Sequence, residues 1–247
     1  MRFSERQPIQ NEPALFIKDK KILIVADLHI GIESELREHG INTNSQSQII
    51  TNHLISIIKK YKPKEIILLG DIKHNIPTST IQERRDVKQF LRIIESYGMI
   101  HIVPGNHDGN ITKISPNSIK VHSSDGLIME NIGFVHGHRW PSLDVISCDQ
   151  VIIGHTHPTI MLTDRRGYKS FEPCWIKGKT KIDELKKKYS ISKEIQIIVL
   201  PAFNRLCGGT PVNREGIVGP VGKIIDQDNS EVYLLDGSFI GKVKDIV

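Results

Sequence analysis

The sequence predicts an α/β fold built on two packed sheets, on three observations. Apolar runs alternate with helix-period segments from Ile22 to Val103 in a β-α-β-α-β series. Beyond Asn110 the pattern changes to short strands separated by turns, as expected for a second, partly antiparallel sheet. Five apolar runs also empty into residues of metal-ligand type. The fullest case is Met99-Ile100-His101-Ile102-Val103 followed by Pro104-Gly105-Asn106-His107-Asp108, where a Pro-Gly turn signal delivers an amide, an imidazole and a carboxylate together.

Taken in order, Ala14–Ile17 and Ile22–Ala26 are two strands joined by a short polar turn, and the second delivers Asp27-Leu28-His29. On an extended backbone Leu28 points away from its neighbours, so Asp27 and His29 share a side and can grip one ion. Glu33 to His39 is a short helix stopped by Gly40. Asn44 or Ser45 caps a longer helix with Ile50, Leu54, Ile57, Ile58 and Tyr61 on one face, ending before Pro63. Glu65–Leu69 is a strand running into Gly70-Asp71. A helix bearing Val87, Phe90, Leu91 and Ile94 follows, capped from Thr78 to Thr80 and closed by Gly98. Right-handed crossovers gather the loops at the strands' carboxyl ends into one crevice, which places Asp71 near Asp27.

Ile119–His122, Leu127–Met129, Ile132–Val135 and Val151–Ile153 are the short strands assigned to the second sheet. Two of them end in histidine, as His136-Gly137-His138 and Gly154-His155-Thr156-His157. Gly70, Gly105 and Gly154 each stand just before a ligand candidate, where a Cβ would obstruct crowded side chains. Glu172–Ile176 and Glu194–Leu200 are further strands, Lys181–Tyr189 a basic helix, and Pro201–Asn204 a loop returning to the site. Glu231–Gly237 with Phe239–Val243 forms a final hairpin. The expectation is one domain over residues 1–247, with a core over 14–160 and a segment over 161–247 that completes the second sheet or forms a small cap.

Composition narrows the function classes. The 247 residues carry a net charge of +5 with a pI near 9.0, a surface tolerant of anionic partners. Cys148, Cys174 and Cys207 form no C-x-x-C pair and are odd in number, against a disulfide framework or a structural zinc site and in keeping with a reducing cytosol. The polar N-terminus and the lack of any apolar run of about 20 residues argue against export and membrane insertion.

Sorted by chemistry, the candidates are Asp27 and Asp71, the imidazoles of His29, His136, His155 and His157, and the amide of Asn106. These are too many for one tetrahedral zinc ion, but they suit two ions sharing a carboxylate. Two dications against two carboxylates leave a charge of about +2, which attracts phosphate. Paired ions about 3.5–4 Å apart can activate a water and clamp the attacking and leaving oxygens.

The motifs Asp27-Leu28-His29, Gly70-Asp71, Gly105-Asn106-His107-Asp108, His136 and Gly154-His155-Thr156-His157, in this order, resemble those of the calcineurin-like metallophosphoesterases. The resemblance implies a four-layer α/β/β/α sandwich. It implies one ion on Asp27, His29, Asp71 and His157, and a second on Asp71, Asn106, His136 and His155. His107 matches the histidine that assists the leaving oxygen, oriented by Asp108 or another acid. Ile72-Lys73-His74-Asn75 and Asp108 stand where protein phosphatases carry other residues, which argues against a phosphoprotein substrate. Ala26–Gly31, Gly70–His74 and Leu200–Asn204 look like the archaeal phosphoesterases grouped with the double-strand-break repair nucleases.

The expected function is a dinuclear phosphodiesterase in which a metal-bridging hydroxide attacks phosphorus. Nucleic acid is a candidate substrate, and manganese is the first candidate metal ahead of zinc, iron or cobalt. A phosphomonoesterase and a non-catalytic scaffold of the same fold are the alternatives. Substrate contacts are assigned to His74, Asn106 and His138. For His74 a brace of the Asp71 loop weighs equally, and for His138 a surface role. His101 is expected in a buried strand, and His39 and His53 on helix surfaces. Lys186-Lys187-Lys188 is expected as a solvated face, and Trp140-Pro141 as either a substrate contact or a packed turn.

Overall fold

Apolar runs without polar alternation must be covered on both faces, and this requirement orders the molecule. In the computed structural model, which describes residues 6–41 and 45–246, the first sheet holds β1 (Arg6–Pro8), β2 (Leu15–Ile17), β3 (Ile22–Val25), β4 (Glu65–Leu68), β5 (Met99–Ile102) and β6 (Lys120–Val121) in that spatial order. From β3 to β6 the pairing is parallel, and β1 and β2 add an antiparallel edge. The crossovers are α1 (Ile32–Glu38) with α2 (Gln46–Tyr61), then α3 (Ile81–Ile94).

The second sheet is mixed. It contains β7 (Leu127–Met129), β8 (Ile132–Val135), β9 (Gln150–Ile153), β10 (Pro158–Thr163), β11 (Lys169–Lys179), β12 (Gln196–Val199), β13 (Thr210–Pro211), β14 (Glu231–Leu234) and β15 (Phe239–Lys242). Their spatial order is β13-β10-β11-β12-β9-β8-β7, with β14 paired to β11 and β15 to β14. β9 runs parallel to both β8 and β12. The strands after Met161 thus pair into this sheet. Short helices α4 (Ile111–Ile114) and α5 (Leu143–Ile146) and the longer α6 (Ile182–Tyr189) complete the chain's main elements.

Strand alternation sorts the apolar side chains into three cores. Leu23 and Val25 of β3 face Leu54, Ile57 and Ile58 of α2 and Val87, Phe90 and Leu91 of α3. Ile22 and Ile24 face the opposite way, onto Phe134, Ile152, Trp175 and Ile198 of the second sheet. Val135, Ile153, Ile176 and Val199 face outward from that sheet, onto Leu185 of α6 and Val145 and Ile146 of α5. Three cores between four layers make the expected α/β/β/α sandwich. Among the described residues no helix is long and apolar enough to cross a membrane.

Several local expectations change. β6 joins the first sheet rather than the second, pairing in parallel with β5 at His101 and Ile102, because Ile119 and Val121 pack into the core between that sheet and its helices. Ser45 precedes α2 but makes no side-chain cap bond, and the Gln46 amide is met instead by Glu33 Oε1 at 3.2 Å. The alternative cap, Asn44, lies outside the described residues. Thr80 does cap α3, accepting from the Glu83 amide at 3.1 Å. His101 is buried in β5 between Glu65 and His122, and His39 is exposed. His53 does not simply face solvent: its ring stacks on Phe203 with centroids 4.8 Å apart.

Candidate metal centre

The loops that leave β3 and β4 continue to bond to one another after the strands end. The Asp27 amide donates to the Gly70 carbonyl (3.1 Å), that of His29 to Asp71 (2.8 Å) and that of Ile30 to Ile72 (2.9 Å). Asp27, His29 and Asp71 have φ of 59°, 43° and 51°, and His155 and His157 of 67° and 45°, all left-handed. This corrects the extended backbone expected at Asp27-Leu28-His29. β3 ends at Val25, and paired left-handed residues, not strand alternation, bring the two side chains together. Such conformations cost about 1 kcal/mol or more each for non-glycine residues and concentrate where function over-determines the backbone.

The side chains converge at the carboxyl ends of the strands. Asp71 Oδ2 is 3.2 Å from His136 Nε2, 3.6 Å from His29 Nε2 and 3.9 Å from His107 Nε2, while Oδ1 accepts from the His107 amide at 2.8 Å. Asp27 Oδ1 is 3.2 Å from His157 Nε2, and both carboxylate oxygens accept from the His155 amide at 3.3 and 3.2 Å. Ligand atoms of Asp27, His29 and Asp71 lie within 4.8 Å of one another, and so do those of Asp71, His136 and His155. His155 and His157 repeat the backbone of Asp27 and His29 but serve opposite sides, His155 beside His136 and His157 beside His29.

Glycine makes this crowding feasible. A Cβ on Gly105 would fall on the Asp71 carboxylate and amide, and one on Gly70 would fall on the His136 ring.

The free nitrogens are set by backbone carbonyls. Leu69 accepts from His136 Nδ1 at 2.9 Å and Gly208 from His157 Nδ1 at 3.0 Å, so in each ring Nε2 is the nitrogen left facing the carboxylates. His29 Nδ1 meets His74 Nδ1 at 3.2 Å, and His74 Nε2 meets the Glu35 carboxylate. The His74 ring thus lies against that of His29, whereas the brace expected of it was of the Asp71 loop.

His107 Nδ1 donates to the His74 carbonyl. Asp108 does not orient it, contrary to expectation. Its buried carboxylate accepts from the amides of Gly105 (2.9 Å), Ile72 (2.9 Å) and Lys73 (3.3 Å), tying the two loops together. Asn106 stands exposed between Gly105 and His107. His138 is half-buried, its ring 5.3 Å from that of His136, and its buried Nδ1 has no hydrogen-bond partner among the described residues. Trp140 packs edge-on to Tyr189 with Lys188 over its ring, and Lys186 to Lys188 are exposed.

The electrostatics follow from burial. Burial opposes ionisation of Asp27 and Asp71, yet His157 and His136 outweigh it and hold both carboxyls below the ordinary range. Burial drives His29 down to about 3 and His155 to about 4, keeping both neutral. It also disfavours charge on His136, but the Asp71 carboxylate overcomes this and raises it to about 9. Burial raises Asp108.

The donor set fits divalent cations. His136 Nε2 is fully buried and, though 3.2 Å from Asp71 Oδ2, has no hydrogen-bond partner among the described residues. Two buried carboxylates face imidazoles whose other nitrogens are already engaged, the arrangement by which second partners orient metal-binding histidines. A cleft of about 390 Å³ opens beside the centre, lined by His157, Asn204, Arg205 and Cys207. A larger cavity of about 690 Å³ lies around β11 and α6, and none of Asp27, His29, Asp71, His136, His155 and His157 lines it. The sequence reading missed Glu35, the two carbonyls and Cys207. Cys207 was within reach, three residues beyond Asn204 in the loop already expected to return to the site.

A family model for calcineurin-like phosphoesterases matches residues 20–172. Nuclease MPE of Pseudomonas putida aligns with a TM-score of 0.60 at 20% identity, over 94% of this chain and 97% of that one, and shares the fold. Yfce, a phosphoesterase from E. coli, aligns with a TM-score of 0.41 at 13% identity over 90% and 97%. The matched span runs from before β3 through β9 into β11 and so contains every donor described except Cys207: the chain belongs to the calcineurin-like phosphoesterases and is a metal-dependent hydrolase of phosphoric esters.

Proposed function

We propose that the chain hydrolyses phosphodiesters, nucleic acid among them, at a centre of two divalent cations. The observation that carries this reading is the placing of Asp71 Oδ2 between His29 Nε2 at 3.6 Å and His136 Nε2 at 3.2 Å, a carboxylate positioned to be shared. Asp27, His29, Asp71 and His157 would hold one ion, and Asp71, Asn106, His136 and His155 the other. The cations, manganese first among those to test, would supply the charge that draws in a phosphate and a water of lowered pKa.

The protein's own groups do the rest. Asp27 and Asp71 remain ionised, and His29 and His155 remain neutral donors. His107, held through Nδ1, keeps Nε2 3.9 Å from Asp71 Oδ2, where it can serve the departing oxygen. The cleft beside His157 supports the diester reading, since it offers room for a second ester substituent and has the Arg205 cation in its lining. The structural neighbour from Pseudomonas putida is itself a nuclease, and the +5 charge suits a polyanion.

The test compares bis-p-nitrophenyl phosphate with p-nitrophenyl phosphate in added Mn²⁺, then single-stranded DNA, duplex DNA, RNA and cyclic nucleotides. Faster turnover of the diester and cleavage of at least one polynucleotide are expected. Preference for the monoester would replace this reading with a phosphomonoesterase.

A further inference from the structure

The loop after β12 is stitched to the metal centre at both ends. The Phe203 amide donates to Ala26 O at 2.9 Å, the Asn204 amide to Asp27 O at 3.2 Å, and Asn204 Nδ2 to Leu28 O at 2.9 Å. Phe203 is buried, and its ring is stacked by His53 of α2. At the far end the Gly208 carbonyl holds His157 Nδ1 at 3.0 Å, and the Thr210 amide donates to the His157 carbonyl at 3.1 Å.

Cys207 stands between these anchors, its own amide donating to the Asn204 carbonyl at 3.1 Å. Its Sγ is 4.0 Å from the backbone oxygen of Asp27, and Sγ lies with one ring nitrogen each of His29 and His157 in a set whose members are all within 4.8 Å of one another. Donors bound to one ion at about 2.0–2.3 Å lie about 3–4.6 Å apart. Three donors of suitable chemistry are therefore already close to coordination spacing on the His29 side of the centre. The group around Asp71, His136 and His155 contains no sulfur.

We propose that Cys207 is a thiolate ligand of the cation held by His29 and His157, making the two seats chemically unequal. The assignment rests on the two-metal reading above. On binding, the S–H bond breaks, its proton passes to solvent, and the sulfur lone pair forms the bond to the cation, with no change of oxidation state. A thiolate beside two imidazoles favours Zn²⁺, Co²⁺ or Fe²⁺ over Mg²⁺ and Mn²⁺, whereas the second seat keeps only nitrogen and oxygen donors. The other cysteines cannot serve. Cys148 is buried against Asp144 O, and Cys174 lies within the outward-facing core of the second sheet.

Co²⁺ reports sulfur ligation spectroscopically, independent of turnover. The full-length protein, stripped with chelator and titrated with Co²⁺, should show visible ligand-field absorption together with a near-ultraviolet sulfur-to-metal charge-transfer band. Cys207→Ser should lose that band, keep the visible absorption, and lower the preference for Zn²⁺ over Mn²⁺ by on the order of 10- to 100-fold, the range of changes in a metal's surroundings. Should Cys207→Ser not fold, Cys148→Ser and Cys174→Ser decide the assignment, since both must retain the band. Visible absorption without charge transfer in the wild type overturns the role of Cys207 and leaves the two-metal reading standing. Absence of any Co²⁺ absorption overturns both.

Discussion

At His107 the imidazole is pinned through Nδ1 to the His74 carbonyl, while its Nε2 stands 3.9 Å from Asp71 Oδ2. With Nδ1 engaged, Nε2 is the nitrogen left to meet a departing oxygen, the role the family resemblance implies for this residue. His107→Ala should therefore leave metal content unchanged and lower kcat by about 10²–10⁴-fold, the usual share of a positioned acid. Metal analysis alongside diester turnover checks this, and an unaltered kcat would remove His107 from the reaction. Two neighbours in the same loop differ in how far their roles were legible. The sequence shows that an acid follows His107, but not that Asp108 turns inward to collect three backbone amides, because those amides come largely from a loop more than thirty positions earlier.

Among the elements, the turns after the strands carry the centre, and their glycines set how closely the loops approach. Gly105→Ala would drive a Cβ into the Asp71 carboxylate and amide. It should destabilise the fold by about 1–3 kcal/mol, as overpacking does, and reduce metal occupancy. Gly109→Ala, four residues on, meets nothing within 4 Å and should stay within about 0.5 kcal/mol of wild type. Denaturant unfolding with metal analysis tests the pair, and equal behaviour of the two variants would refute the close-approach argument. The positions of these turns are legible because Pro-Gly, Gly-Asp and Gly-His follow short, mostly apolar runs. Their left-handed backbone at Asp27, His29, Asp71, His155 and His157 is not. Nothing in the residue types demands it, and it is imposed by bonding between the loops.

Across the whole molecule the centre bridges the two sheets. Asp27, His29 and Asp71 follow strands of the first sheet, and His136, His155 and His157 follow strands of the second. Bound cations would tie the layers together, adding about 2.7 kcal/mol of stability at a free concentration 100 times Kd. Chelation should accordingly lower Tm and re-addition of Mn²⁺ should restore it. A Tm unmoved by chelator in protein shown to have contained metal would contradict the bridging arrangement.

Donor types, their order, and which strands are covered on both faces were readable along the chain, since each is a local matter of apolar runs and adjoining turn residues. Which donors meet was settled only by folding. Asp27 and Cys207 are 180 positions apart, β6 sides with the first sheet, and His155 parts from His157. Each of these depends on contacts between segments distant in sequence, whose partners no local pattern names.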